Sequence, residues 1–170
     1  GAGTKAADVN GYTSLIWAAQ NGHEEVASFL IEHGADVNSK TTSDLTALTL
    51  AANTGAVDVV NLLIEHGADV NTRTTYGHSA LLWAVRKDRE NVAALLVEHG
   101  ADVNFIGMDG FTALMLAAKN GNTENAALLI KNGADVTIKN KAGKTAMMLA
   151  KAKWGNDHPI VTLLANHGGK

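Results

Sequence analysis

A period of 33 residues constrains this chain more than any other feature of its sequence. The segment Gly-Ala-Asp-Val-Asn occurs at 34–38, 67–71 and 100–104, and it recurs at 133–137 with threonine in the last position. A second column keeps the same spacing with a hydroxyl residue, at Thr13, Thr46, Ser79, Thr112 and Thr145. A fixed period of this length is typical of an array of small, similar units stacked side by side.

The first half of each unit predicts a short helix. In the first unit, Thr13 is suited to cap the helix, because its hydroxyl can accept from the free amides of the next turn. Leu15, Ala18 and Ala19 then fall on one helical face. Asn21-Gly22 follows and favours a helix end, since glycine tolerates the left-handed cap.

The second half of the unit predicts another short helix. It begins at Glu24, whose charge favours the positive end of the helix dipole, and it ends at His33. Val26, Phe29 and Leu30 form its expected apolar face. Two helices of this length are unstable alone in water, so each pair must bury its apolar face against the next.

These residues resemble the ankyrin repeat family. The segment 11–19, Gly-Tyr-Thr-Ser-Leu-Ile-Trp-Ala-Ala, is similar to the signature Gly-x-Thr-Pro-Leu-His-x-Ala-Ala, and the likeness extends over about residues 8–168. The resemblance implies an all-α, ankyrin-type solenoid of stacked helix-turn-helix repeats with projecting β-hairpin loops. We expect residues 1–7 to be an N-terminal extension or remnant and 8–170 to be a single domain. Its five repeats would lie at about 8–40, 41–73, 74–106, 107–139 and 140–168.

The chain departs from the family signature in two columns. The signature proline is replaced by serine or alanine in every repeat, and the signature histidine by Ile16, Thr49, Leu82, Met115 and Met148. In the family that histidine joins neighbouring repeats by hydrogen bonds, so this stack should depend more on apolar contact. We interpret such consistent loss as a natural sequence rather than a consensus array.

One polar residue falls in an apolar column. Asn125 stands where Val26, Val59 and Val92 stand in earlier repeats. We expect its amide to find a backbone partner or a water, because an unpaired buried amide costs about 1–3 kcal/mol.

Composition excludes several classes of protein. The 170 residues contain no cysteine, hence no disulfide framework or thiolate metal site. No apolar stretch approaches the roughly 20 residues of a membrane span. Residues 1–85 carry a net charge of −6 and residues 86–170 a net charge of +3, which is too mild for a DNA-binding face. We therefore expect a cytoplasmic monomer that binds neither DNA nor membranes.

The candidate chemical groups have structural explanations. His33, His66, His99 and His167 occupy one slot at the end of each second helix, where a cation complements the dipole. The repeated aspartates at 36, 69, 102 and 135 are expected to belong to their own turns. No nucleophile or phosphate-loop motif is present, so the sequence predicts a non-enzyme without metal or cofactor.

The variable columns indicate where a partner would bind. In ankyrin-like solenoids, partners usually contact the hairpin tips and the exposed side of each first helix. Tyr76, His78, Phe105, Ile106, Met108 and Phe111 should place large apolar groups on the tips of repeats three and four, with Arg73, Arg86, Lys87 and Lys119 around them. The complete predicted partner-binding set is Tyr12, Leu45, Arg73, Tyr76, His78, Arg86, Lys87, Ile106, Met108, Phe111 and Lys119.

The sequence therefore predicts a non-catalytic protein-protein interaction module that binds through the concave groove and hairpin tips of repeats two to four. An apolar centre with a charged rim is typical of interaction hot spots, and the basic rim favours a partner with an acidic surface. Two alternatives stay open: a sensor of a small phosphorylated or nucleotide-like ligand, and a spacer segment of a longer ankyrin array.

We expect Trp17 and Trp83 to pack between repeats rather than to line the groove.

Asn38, Asn71 and Asn104 each follow a leucine by eight residues, which resembles the asparagine hydroxylation sites of animal ankyrin repeats.

Overall fold

The computed structural model describes residues 6–108 and 110–168, and these residues form ten helices. The predicted N-terminal extension lies largely outside them, in residues 1–5. The helices are α1 (Ser14–Gln20), α2 (Glu24–Glu32), α3 (Ala47–Thr54), α4 (Val57–Glu65), α5 (Ala80–Arg86), α6 (Glu90–Glu98), α7 (Ala113–Asn120), α8 (Thr123–Lys131), α9 (Ala146–Trp154) and α10 (Pro159–Asn166). The expected all-α solenoid of helix pairs is confirmed.

The helices form two parallel rows. Each odd-numbered helix packs on the next odd-numbered helix, and each even-numbered helix packs on the next even-numbered one. The odd row packs more closely, because alanines such as Ala19, Ala52 and Ala84 are fully buried at its contacts. The odd helices and the loop tips that precede them form one face of the stack, which we call the groove face.

Hydroxyl caps start every odd-numbered helix. The Thr13 hydroxyl accepts a hydrogen bond from the Ile16 amide at 3.3 Å. Thr46, Ser79, Thr112 and Thr145 accept equivalent bonds from the amide three residues on. Each such cap is worth about 1 kcal/mol, so the repeated column sets the beginning of the whole row.

The core runs unbroken along the stack. Leu63, Leu96 and Leu129, one per repeat on the even row, have no exposed surface. Each fully buried leucine contributes about 1.5–3 kcal/mol relative to an exposed one. The core is thus a series of equivalent layers rather than a single centre.

The first helix pair shows one difference from expectation. Val26 and Phe29, predicted to be an apolar inner face, are 49% and 57% exposed, whereas Val59 and Val92 of the same column as Val26 are 1% exposed. That side of α2 is covered in later repeats by the preceding pair, and no described residues cover it in the first.

Asparagines join the loops of neighbouring repeats. The Asn38 side chain donates from Nδ2 to the Gly67 carbonyl at 3.0 Å and accepts the Asp69 amide at 2.9 Å. Asn71 and Asn104 make the same pair of bonds to the repeats that follow them. In the described residues, strand-type pairing is limited to one bridge between Ala7 and Thr13, so the projecting loops are turns rather than β-ladders.

The fifth repeat ends differently from the others. Helix α9 continues to Trp154, whose Nε1 donates to the Ala118 carbonyl at 3.1 Å. The Lys153 ammonium donates to the Lys119 carbonyl at 2.8 Å, so both side chains close the end of α7. Helix α10 begins at Pro159, and the His158 ring accepts a hydrogen bond from the Ile160 amide.

Asn125 does not meet the expectation of a hydrogen-bonded amide. Its side chain is 1% exposed, and neither its Oδ1 nor its Nδ2 has a hydrogen-bond partner in the described residues. It lies in α8 where the even row packs on α6. The valine column explains this, because the site is shaped for an apolar side chain.

The described helices have at most nine residues each, and none is long and apolar enough to cross a membrane.

Candidate functional site

Two clefts open side by side on the groove face. The first, which we call the α3–α5 cleft, has a volume of about 540 Å³. It is lined by Leu45, Leu50, Asn53, Tyr76, His78, Trp83, Arg86 and Lys87. Its surface is mainly apolar, and two cations, Arg86 and Lys87, belong to its lining.

The second cleft, the α5–α7 cleft, has a volume of about 260 Å³. It is lined by His78, Leu82, Arg86, Gly107, Met108, Phe111, Leu116, Lys119 and Asn120. The Lys119 ammonium lies 5.6 Å from the centre of the Phe111 ring, so a cation borders its aromatic wall.

His78 and Arg86 line both clefts and divide them. Arg86 Nη1 lies 2.9 Å from His78 Nε2, and His78 Nδ1 lies 2.8 Å from the Tyr76 carbonyl oxygen. In the neutral imidazole Nδ1–H donates to that carbonyl and Nε2 accepts from the guanidinium. The His78 ring also stacks on Trp83 with centroids 4.8 Å apart. Arg86 is therefore held in place between the clefts, and its guanidinium makes no other hydrogen bond within residues 6–108 and 110–168.

Gly107 lines the α5–α7 cleft without a side chain. The equivalent position in other repeats carries Asp8, Thr41, Thr74 or Asn140, whose side chains anchor their own loops. A Cβ atom on Gly107 would lie 3.0 Å from the Gly77 carbonyl oxygen and 3.1 Å from Leu82 Cδ1. The loop therefore passes close to Gly77 and Leu82, and a side chain at position 107 would crowd both.

The structure brings eight of the eleven predicted partner-binding residues to these clefts. They are Leu45, Tyr76, His78, Arg86, Lys87, Met108, Phe111 and Lys119. Tyr76 and Met108 are 56% and 57% exposed, while Phe111 is half-buried against the core.

The other three predicted residues lie elsewhere. Tyr12 stacks on Trp17 in the first repeat, with ring centroids 4.7 Å apart. The Arg73 guanidinium lies over the Phe105 ring at 4.5 Å. Ile106 is 53% exposed and lines neither cleft.

Two aromatic predictions need correction. Phe105, expected on a loop tip, is only 6% exposed, because its ring turns inward beneath Arg73. Trp17 and Trp83 were expected to pack between repeats. Instead Trp17 is 47% exposed, and Trp83 forms a wall of the α3–α5 cleft.

Sequence reasoning missed the leucines that form the cleft floors, Leu50, Leu82 and Leu116. Leu50 and Leu116 stand in the same column as Trp83, 33 residues to either side of it. Every repeat has a large apolar residue in that column. This regularity could have indicated that a continuous strip of apolar side chains runs along the groove face.

Within the described residues, three of the four histidines in the repeated column and all four repeated aspartates bond to their own helix end or turn. Nδ1 of His33, His66 and His167 lies 2.7–2.8 Å from the carbonyl oxygen four residues earlier, at the end of its helix. Each repeated aspartate accepts the amide two residues on, within its own turn. Bonds from the Thr137 hydroxyl and amide lower the pKa of the exposed Asp135 carboxyl below its usual range.

Family comparisons agree with this architecture. Models of ankyrin repeats match residues 10–42, residues 39–107 and residues 96–150, which together span 10–150. The chain belongs to the ankyrin repeat family. No curated protein matches it significantly. Ankyrin repeats are generally protein-protein interaction modules and typically non-enzymatic.

Proposed function

We propose that this ankyrin repeat protein is a non-catalytic module that binds a protein partner through the groove face of repeats two to four. The observation that carries the proposal is the pair of adjacent, apolar-floored clefts that share Arg86 and His78. Large apolar contacts surrounded by charge are the composition of binding hot spots.

The cations around the clefts favour a partner with acidic side chains. Arg86 lies between the clefts, Lys87 lines the α3–α5 cleft, and Lys119 lines the α5–α7 cleft. All three are exposed, so their attraction for an acidic surface should weaken as salt rises above about 0.15 M.

Tyr76→Ala combined with Met108→Ala tests the site. Each residue is more than half exposed and lines one cleft, so the double variant should fold normally. We expect partner capture from native lysate, quantified by mass spectrometry, to fall at least about tenfold, because a hot-spot side chain is worth more than about 1 kcal/mol.

Ile106→Ala provides the matched control. It truncates an equally exposed apolar side chain two residues from Met108 but outside both clefts. Capture that is unchanged in the double variant, or reduced equally in the control, would contradict the proposed site.

The arrangement supports a phosphorylated small ligand less well. The three cations are divided between two clefts, with Lys87 in one and Lys119 in the other, and only Arg86 reaches both. A thermal-shift screen with nucleotides separates the two functions, since a bound ligand raises the melting temperature by mass action.

A further inference from the structure

The partner's secondary structure can be inferred from the arrangement of the two clefts; this step rests on the proposed function. The α3–α5 and α5–α7 clefts lie between successive helices of one row. Packed helices lie about 8–10 Å apart, so the two clefts repeat at about that distance. A single partner segment that fills both must present two apolar side chains at this spacing.

Three regular backbones can be compared with that distance. In a β-strand, side chains on one face are about 6.6 Å apart at i and i+2 and about 13 Å apart at i and i+4. A polyproline helix places i and i+3 on one face about 9.3 Å apart. An α-helix places i and i+7 on one face about 10.5 Å apart. The strand spacings miss the clefts, whereas both helical backbones fit.

Arg86 distinguishes the two remaining backbones. It lies in the wall between the clefts, so the partner group that meets it must project from the same face, midway between the two apolar side chains. An α-helix has such positions at i+3 and i+4. A polyproline segment has none, because residues i+1 and i+2 point to its other sides.

The chemistry at the midpoint favours a carboxylate. The structure gives the Arg86 side chain one hydrogen bond, from Nη1 to His78, among the five N–H groups that a guanidinium carries. His78 is itself fixed by the Tyr76 carbonyl and by stacking on Trp83. A guanidinium held in this way is prepared for a charge-assisted pair with a carboxylate.

We propose that the partner inserts an amphipathic α-helix along the groove face, with apolar side chains at i and i+7 in the two clefts and an Asp or Glu at i+3 or i+4 on Arg86. Binding of an amphipathic helix in an apolar groove follows the usual pattern of evenly spaced anchors. Here the distance between repeats sets the spacing of the two apolar anchors, and the position of Arg86 sets where the acidic residue lies.

Two displayed libraries test this inference with defined probes. One randomises the exposed face of a single helix in a small helical scaffold, and the other is a library of linear 12-residue peptides. Both are selected for binding to the whole protein and counter-selected against Arg86→Glu. We expect the helical library to enrich apolar pairs seven residues apart with Asp or Glu midway between them.

A charge exchange then checks the pairing. Changing the midway acid of a selected helix to lysine should lower its affinity for the wild-type protein at least about tenfold, and Arg86→Glu should recover most of that loss. Arg86 is exposed, so this variant should keep its helical circular dichroism. An acid-to-lysine change without effect would overturn the proposal.

Gly107→Thr supplies a second, independent variant. Threonine stands at the equivalent position in two other repeats, at Thr41 and Thr74. At position 107 its Cβ would lie 3.0 Å from the Gly77 carbonyl oxygen and 3.1 Å from Leu82 Cδ1, so it alters the wall of the α5–α7 cleft, and circular dichroism checks that the variant stays folded. We expect this variant to bind the selected helices about tenfold more weakly or worse. The main cause should be the apolar side chain of the helix that enters the α5–α7 cleft. Equal binding of the same helices to Gly107→Thr would also overturn the proposal.

The outcomes separate this inference from the proposed function. Linear or proline-rich binders that respond to Tyr76→Ala with Met108→Ala would overturn the α-helix and leave the partner-binding site standing. If no binder from either library responds to these cleft variants, both proposals fail.

Discussion

Asn125 is a buried polar residue in a repeat position that holds valine in the first three repeats. Its buried amide has no hydrogen-bond partner in the described residues, at a position that valine fills in repeats two and three. An unpaired buried polar group costs about 1–3 kcal/mol. We expect Asn125→Val to raise the free energy of unfolding by about that amount, measured by urea denaturation.

Val92→Asn makes the reciprocal change in the preceding repeat. Val92 is 1% exposed in the same column, so the variant should lose stability by a similar amount. An Asn125→Val protein no more stable than the wild type would show that the amide is satisfied in solution.

Thr137 sets the acidity of a neighbouring carboxyl. Its hydroxyl donates to Asp135 Oδ1 at 2.6 Å, and this bond is the main cause of the lowered pKa of Asp135. Because the folded-state pKa is lowered, the stabilisation is present above the usual aspartate pKa and is lost as pH falls through the folded value. We expect Thr137→Ala to raise the Asp135 pKa toward 3.8, measured by carboxyl carbon NMR.

Thr137→Ser keeps a hydroxyl at the same position and serves as the control. Its Asp135 titration should resemble that of the wild type. Identical titrations in the alanine and serine variants would assign the shift to the backbone amide instead.

At the scale of the element, two turns adopt left-handed geometry without glycine. Asp44 and Asp88 both have φ of 55°, where a side chain costs about 1 kcal/mol relative to glycine. They differ in their contacts. The Asp88 carboxylate accepts a hydrogen bond from Asn120 at 2.9 Å, across to the next repeat, and no such inter-repeat bond from Asp44 is present in the described residues.

The same substitution is therefore expected to have different outcomes at the two positions. Asp44→Gly should raise the melting temperature, by an amount corresponding to up to about 1 kcal/mol. Asp88→Gly should lower it or leave it unchanged, because the bond to Asn120 is lost together with the strain. Calorimetry of both variants checks this, and equal gains would mean that the Asn120 contact contributes nothing.

The helices could be predicted from sequence because their signals are local. Thr13 and its equivalents cap helices that begin one residue later, and the apolar columns recur at helical spacing. The burial of Phe105 could not be predicted, because it depends on a loop that turns inward beneath Arg73 of the preceding repeat. The clefts were only partly predictable for the same reason. Their cationic and aromatic rim was visible in variable columns, whereas the close approach of Gly107 to Leu82 and Gly77 involves another repeat.

At the scale of the whole molecule, the asparagine bonds between loops connect successive repeats. Asn71 donates to the Gly100 carbonyl at 3.1 Å and accepts the Asp102 amide at 2.9 Å. In a repeat stack, stability is the sum of the repeats and their interfaces. We expect Asn71→Ala to lower the free energy of unfolding by about 1–2 kcal/mol, measured in urea, because two bonds across one interface are lost.

Asn71→Asp separates the two bonds, because it keeps an acceptor for the Asp102 amide but removes the donor to the Gly100 carbonyl. Its loss of stability should therefore come from the missing bond to Gly100, and it should depend on pH because an aspartate titrates. An alanine variant as stable as the wild type would mean that water replaces both bonds at no cost.

The three tryptophans lie at different places along the stack, so their intrinsic fluorescence can report on different repeats. Trp17 lies in the first repeat, Trp83 on the α3–α5 cleft, and Trp154 against the end of α7. Each indole therefore samples a different stretch of the array, and emission from variants that retain one tryptophan would show which repeats open first. In the same preparation, Trp83 would signal occupancy of the groove without any attached dye.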